Sequence, residues 1–110
     1  MKLESSEKRW LKDYRAELER QFPGQVEGLS IYGSKARGEG NAESDLDVLL
    51  IVKDKATRMK SKMRQVGYLL AADGNAVPSI LAYTRQEWDR RARRGSPFRT
   101  AVDRDAVSVL

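Results

Sequence analysis

The five residues Val48-Leu49-Leu50-Ile51-Val52 are apolar at every position, and no other stretch constrains the fold as strongly. Successive side chains of a strand face opposite ways, so a run apolar at both parities needs cover on both sides. The run predicts a central strand, Asp45 to Val52, between two layers. No apolar run is longer than these five residues, far short of the roughly 18 residues of a membrane span. The expectation is one domain, residues 1–110, with a single compact core and no membrane segment.

Periodicity places the other elements. Trp10, Tyr14, Leu18 and Phe22 recur every fourth residue with Leu11 beside them, predicting a helix from Ser6 to Phe22. Ser5 or Ser6 would cap it, and Pro23-Gly24 would stop it. Val26 to Tyr32 reads as a strand broken by Gly33-Ser34. Residues 34–38 begin a short helix, and 38–44 form a polar loop. Met59, Met63, Val66 and Leu70 share a face of a helix from Lys55 to Ala72. Asp73-Gly74-Asn75 turns the chain into a third strand, Val77 to Thr84. Thr84, with Glu87 three residues on, caps a helix running to about Arg94. The tail, Phe98 to Leu110, reads as a short helix and an extended end. The fold class is α/β (α+β), a small mixed sheet with helices packed on it.

Composition narrows the chemistry. The chain has no Cys and no His, which removes disulfides, zinc clusters, thiol nucleophiles and imidazole acid–base catalysis. Carboxylates, hydroxyls, Lys/Arg and hard cations such as Mg²⁺ remain. The N-terminus enters charged residues at once, with no apolar leader, so the expected location is the cytoplasm. The net charge is +5 but unevenly spread: residues 26–52 carry two basic and five acidic side chains, and the segments after them are basic. An acidic island between basic flanks suits a polyanion held near carboxylates that need a metal.

Two motifs carry that chemistry. Gly33-Ser34-Lys35-Ala36-Arg37-Gly38 follows a strand and opens a helix; the glycine permits a tight turn, Ser34 offers a hydroxyl, and Arg37 lies one turn along. Glu39 stands where a Walker loop requires Lys, and Gly38-Glu39-Gly40 lacks the third glycine of a dinucleotide fingerprint. The second motif is Ser44-Asp45-Leu46-Asp47. Residues two apart on a strand point the same way, so Asp45 and Asp47 repel, and a divalent cation or an arginine would relieve them. Leu49 and Leu50 exclude an EF-hand loop. The aspartates precede the hydrophobic run rather than follow it, unlike those of a haloacid-dehalogenase-type phosphatase.

Taken together, Gly33-Ser34-x-Ala36-Arg37-Gly38, a polar loop and Ser44-Asp45-x-Asp47 resemble the minimal nucleotidyltransferase domains of the DNA polymerase beta-like nucleotidyltransferase superfamily. The resemblance implies that fold, with Asp45 and Asp47 as catalytic metal ligands for Mg²⁺ (Mn²⁺ as an alternative). It further implies Gly33, Ser34, Arg37 and Ser44 at the nucleotide and its phosphates, with Lys35 and Arg37 as basic residues nearby. The implied substrate is an NTP, taken as ATP. An acceptor hydroxyl would attack the α-phosphorus in line, receive the nucleoside monophosphate and release pyrophosphate. The implied partner is a HEPN-type helical protein, a toxin to this chain's antitoxin. Active members carry a third carboxylate on the strand after the intervening helix; here Pro78 or Ser79 holds that position. The alternative is therefore an antitoxin-type module with weak or no catalysis that neutralises its partner by complex formation. The surface expected to meet the partner is Arg85 to Arg104 with Trp88 and Phe98, and nucleic acid is the rival ligand for it.

Overall fold

A computed structural model describes all residues, 1–110. The chain forms α1 (Ser5–Gln21), β1 (Val26–Tyr32), α2 (Gly33–Ala36), β2 (Leu46–Val52), a 3-10 segment (Asp54–Met59), α3 (Lys60–Ala71), β3 (Pro78–Thr84), α4 (Arg85–Arg93), α5 (Pro97–Asp105) and β4 (Val107–Ser108). The sheet order is β3-β2-β1-β4. β2 pairs parallel with β3 and antiparallel with β1, and β4 closes antiparallel on β1.

The apolar run does what its double parity demands. Leu46, Val48, Leu50 and Val52 join the main core with Trp10, Tyr14, Leu18 and Met63 from α1 and α3. Leu49 and Ile51 face the other way, onto Trp88 of α4 and Val102 of α5. β2 is thus central, with helices on both faces.

Three local expectations are corrected. The cap of α1 is Glu4, not Ser5 or Ser6: Glu4 and Glu7 form a reciprocal capping box, and the Glu4 amide donates to Glu7 Oε1 at 2.8 Å. The helix expected over 55–72 begins as the 3-10 segment and becomes α-helical only at Lys60, which leaves Met59 at 44 % exposure instead of on the buried face. Trp88 is buried in the second core, so it is no exposed anchor, and Phe98 packs against that core. Thr84 caps α4 as expected, accepting from the Glu87 amide at 3.1 Å while the Thr84 amide donates to Glu87 Oε1 at 2.8 Å.

The two helices of the first layer approach closely because α3 presents Gly67. Trp10 Nε1 donates to the Gly67 carbonyl at 2.8 Å, and the Tyr14 hydroxyl donates to the Met63 carbonyl at 2.7 Å. A Cβ at Gly67 would lie 2.5 Å from Ile80 Cδ1 and 3.1 Å from the Tyr14 ring. Gly67→Ala should therefore destabilise the fold by about 1–3 kcal/mol from overpacking, despite the better helix propensity of alanine. Urea unfolding checks it; an unchanged or higher midpoint would mean the α1–α3 contact is looser than described.

Candidate functional site

β1 ends at Tyr32, and the chain then turns sharply at Gly33, whose φ is +75°. A Cβ there would overlap the Asp47 carboxylate oxygen, so glycine is required by backbone conformation and by space together. Asp47 is the β2 residue opposite Tyr32 on β1 and Ser79 on β3. Paired positions of adjacent strands share a face, so Tyr32, Asp47 and Ser79 form one row across the sheet. Asp45 lies exposed just before β2, and Asp47 is half-buried.

The electrostatics of this row mark it as unusual. Burial pushes the Asp47 carboxyl above its ordinary range; the charge of Asp45 adds to the rise, and Arg37 opposes it. Burial, then the neighbouring Asp47, pushes the Tyr32 phenol up to about 12. At neutral pH an ionised Asp47 costs stability, because its folded pKa lies above the unfolded one. The cost shrinks as pH falls through the folded pKa and is gone below the unfolded one. Asp47→Asn should therefore melt higher than the parent at pH 7, and the two should converge by about pH 3, where both states are protonated. A lower melting point at pH 7 would show that Asp47 is stabilised by partners rather than strained.

The other residues singled out in the sequence fall into different roles. Ser34 is half-buried at the start of α2, with its carbonyl accepting from the Glu39 and Gly40 amides at 2.9 and 3.2 Å. Lys35 is not at the site: its ammonium is buried and bonds Glu7 Oε1 and Oε2 at 2.9 and 2.8 Å. Arg37 reaches Glu39 at 3.0 Å and Asp105 at 3.2 Å, which ties the loop after α2 to the end of α5. Ser44 accepts from the Asn41 amide at 3.1 Å and shapes the loop before Asp45. Asp73 stays in the turn after α3. No group of three or more Asp, Glu, His or Cys side chains comes together. Register resolves the Pro78/Ser79 alternative, since Pro78 pairs with Leu46 and Ser79 with Asp47. Tyr32 was missed by sequence reasoning; its place as the last strand residue before the Gly-Ser turn was the available signal.

Residues 11–95 match the family model for the nucleotidyltransferase domain. The chain belongs to that family. Its fold is similar to a crystal structure from Sulfolobus solfataricus assigned as a nucleotidyltransferase, with a TM-score of 0.52 and 23% identity over 97% of this chain and 87% of that one. At that identity the likeness concerns fold alone. No curated protein sequence matches the chain significantly. No helix of this nucleotidyltransferase domain is long and apolar enough to cross a membrane.

The family commonly uses divalent metals, and the donor set suits one. Asp45 and Asp47 supply hard oxygens, and Mg²⁺ is typically held by one or two carboxylates, with substrate phosphates and water filling its shell. The mutual repulsion of the two aspartates is the kind of cost such an ion removes.

Proposed function

We propose that this nucleotidyltransferase domain binds a nucleoside triphosphate, ATP by resemblance, as its Mg²⁺ or Mn²⁺ complex at Asp45 and Asp47, and transfers the nucleoside monophosphate to an acceptor hydroxyl. The ion would neutralise charge on the triphosphate as the bond to pyrophosphate breaks. Gly33 keeps the backbone close to Asp47, and Ser34 offers its hydroxyl and first-turn amides to phosphate oxygens. Arg37 and Ser44 hold the loop that borders the phosphates. In transfer the acceptor oxygen forms its bond to the α-phosphorus, pyrophosphate leaves with the bonding pair, and the acceptor proton passes to solvent or a carboxylate. No imidazole or thiol is needed. The observation that carries this reading is the glycine turn packed directly onto a strained, half-buried carboxylate at the mouth of the central strand.

Calorimetry with ATP should show binding that needs Mg²⁺ or Mn²⁺ and is lost in the Asp45→Asn/Asp47→Asn double variant, which should still fold because neither side chain is in the core. Equal affinity with and without the aspartates would remove the metal site.

A second reading has its own support. Ser79 pairs with Asp47 on the strand where, by the resemblance, active members carry a third carboxylate, so transfer would be slow or absent and the domain would act by complex formation. The partner in either reading is a HEPN-type helical protein, on the strength of the resemblance. Labelling of that partner with radioactive ATP separates the readings: rapid labelling supports the enzyme, and tight binding without labelling supports the module.

A further inference from the structure

A cleft of about 370 Å³ lies beside α4 and is lined by Tyr83, Glu87, Arg90, Arg91, Arg94 and Ser96. Tyr83 is four residues along β3 from Ser79, about 13 Å at strand rise, so the cleft is separate from the aspartates. We propose that it binds the phosphates of a single-stranded nucleic acid.

Charge is the first argument. Arg85 and Arg99, on either side, are paired with Glu27, Asp89 and Asp103. Arg90, Arg91, Arg93 and Arg94 enter no ion pair, although they fall within five residues and repel one another. The end of a helix favours a cation or two, but it does not require three guanidinium groups to converge on one concavity. The one acid in the lining is occupied: Glu87 Oε1 accepts from Lys60 Nζ at 2.7 Å and from the Thr84 amide at 2.8 Å. An incoming anion would meet donors.

The second argument distinguishes the ligand. The Arg91 guanidinium sits over the Tyr83 ring at 4.8 Å and the Phe98 ring at 5.9 Å. Both rings also pack against Trp88, so a base would stack on the Arg91 guanidinium rather than on either ring, with the neighbouring arginines on the phosphates. Forked guanidinium groups suit phosphate oxygens in particular. An acidic protein partner would also meet the charge, but protein interfaces have an apolar centre. Here the exposed large apolar residues, Met1, Met59, Tyr68, Leu69, Val77 and Leu110, all lie outside the cleft lining.

The test is fluorescence anisotropy with a short labelled single-stranded RNA, without nucleotide or divalent metal. Arg90→Glu/Arg94→Glu should weaken binding at least tenfold and flatten the slope of log affinity against log salt by about 1.4, near 0.7 per lost phosphate contact. Both side chains are exposed and unpaired, so the variant should melt with the parent; if it does not, Arg90→Gln/Arg94→Gln gives the same reading with half the charge change. Lys12→Glu/Arg15→Glu, an equal reversal on the exposed face of α1, should leave affinity within about twofold. Asp45→Asn/Asp47→Asn should bind RNA at least as well as the parent, which separates this cleft from the proposed nucleotide site. Equal losses from the α1 and α4 reversals would overturn the proposal in favour of diffuse charge. Polyglutamate competing as well as RNA at equal charge would overturn it in favour of an acidic protein.

Discussion

Glu7→Ala should destabilise the domain by about 3–5 kcal/mol, the expected cost of leaving a buried charge without its partner. Lys35 is the charge in question. Its side chain is 2 % exposed and that of Glu7 5 %, with the ammonium 2.8–2.9 Å from both carboxylate oxygens. A water entering the space left by Glu7 would supply a hydrogen bond but no countercharge for the Lys35 ammonium. The loss would be a large share of the 5–15 kcal/mol typical of whole domains, so the variant should be partly unfolded at 37 °C. Glu7→Ala also removes the acceptor for the Glu4 amide and weakens the start of α1. The companion variant Glu7→Gln/Lys35→Met keeps that cap and removes both charges, and it should recover most of the stability. Chemical unfolding of both gives the answer. A cost below about 1 kcal/mol for Glu7→Ala would mean that Lys35 swings out to solvent.

This pair shows where sequence reading stopped. The apolar run at 48–52, the four-residue stripe of α1 and the capping box at Thr84 are local signals, and each placed its element correctly. Pairing between Glu7 and Lys35 spans 28 residues, and nothing in either neighbourhood announces it. Lys35 was therefore placed by sequence among the residues near the phosphates, because it follows Ser34 in the motif. Side-chain direction in one short turn decided otherwise: Lys35 points into the α1 layer, while Gly33 stands against Asp47. The cap at α1 was missed for a different reason: Glu4 and Glu7 make a local capping box in which Glu takes the place usually held by Ser or Thr. At the site, strand geometry led to the expectation that Asp45 and Asp47 act on each other; Asp45 lies just outside β2, yet its charge is felt at Asp47. Their neighbours Tyr32 and Ser79 required strand register, which a single sequence leaves open.

Register is what makes the third carboxylate testable. Ser79→Asp should raise nucleotidyl transfer at least tenfold over the parent, measured with labelled ATP and the proposed helical partner. Ser79 pairs with Asp47 on the adjacent parallel strand, so an aspartate there would share its face and stand one strand spacing, about 4.8 Å, away. It would also be a third negative charge in a place where Asp47 is already pushed up by burial and by Asp45. The variant should therefore lose stability at neutral pH and regain it when Mg²⁺ is added, with a larger thermal shift on Mg²⁺ addition than the parent shows. That readout is independent of activity. Tenfold in rate corresponds to only about 1.4 kcal/mol of transition-state stabilisation, a modest return from one well-placed carboxylate. Pro78→Asp is the control, because Pro78 pairs with Leu46 and shares the face turned toward the main core. It should disturb folding without raising transfer. A faster Pro78→Asp, or a Ser79→Asp that gains neither activity nor Mg²⁺-dependent stability, would show that position 79 does not border the metal site and that the row from Tyr32 through Asp47 ends at β2.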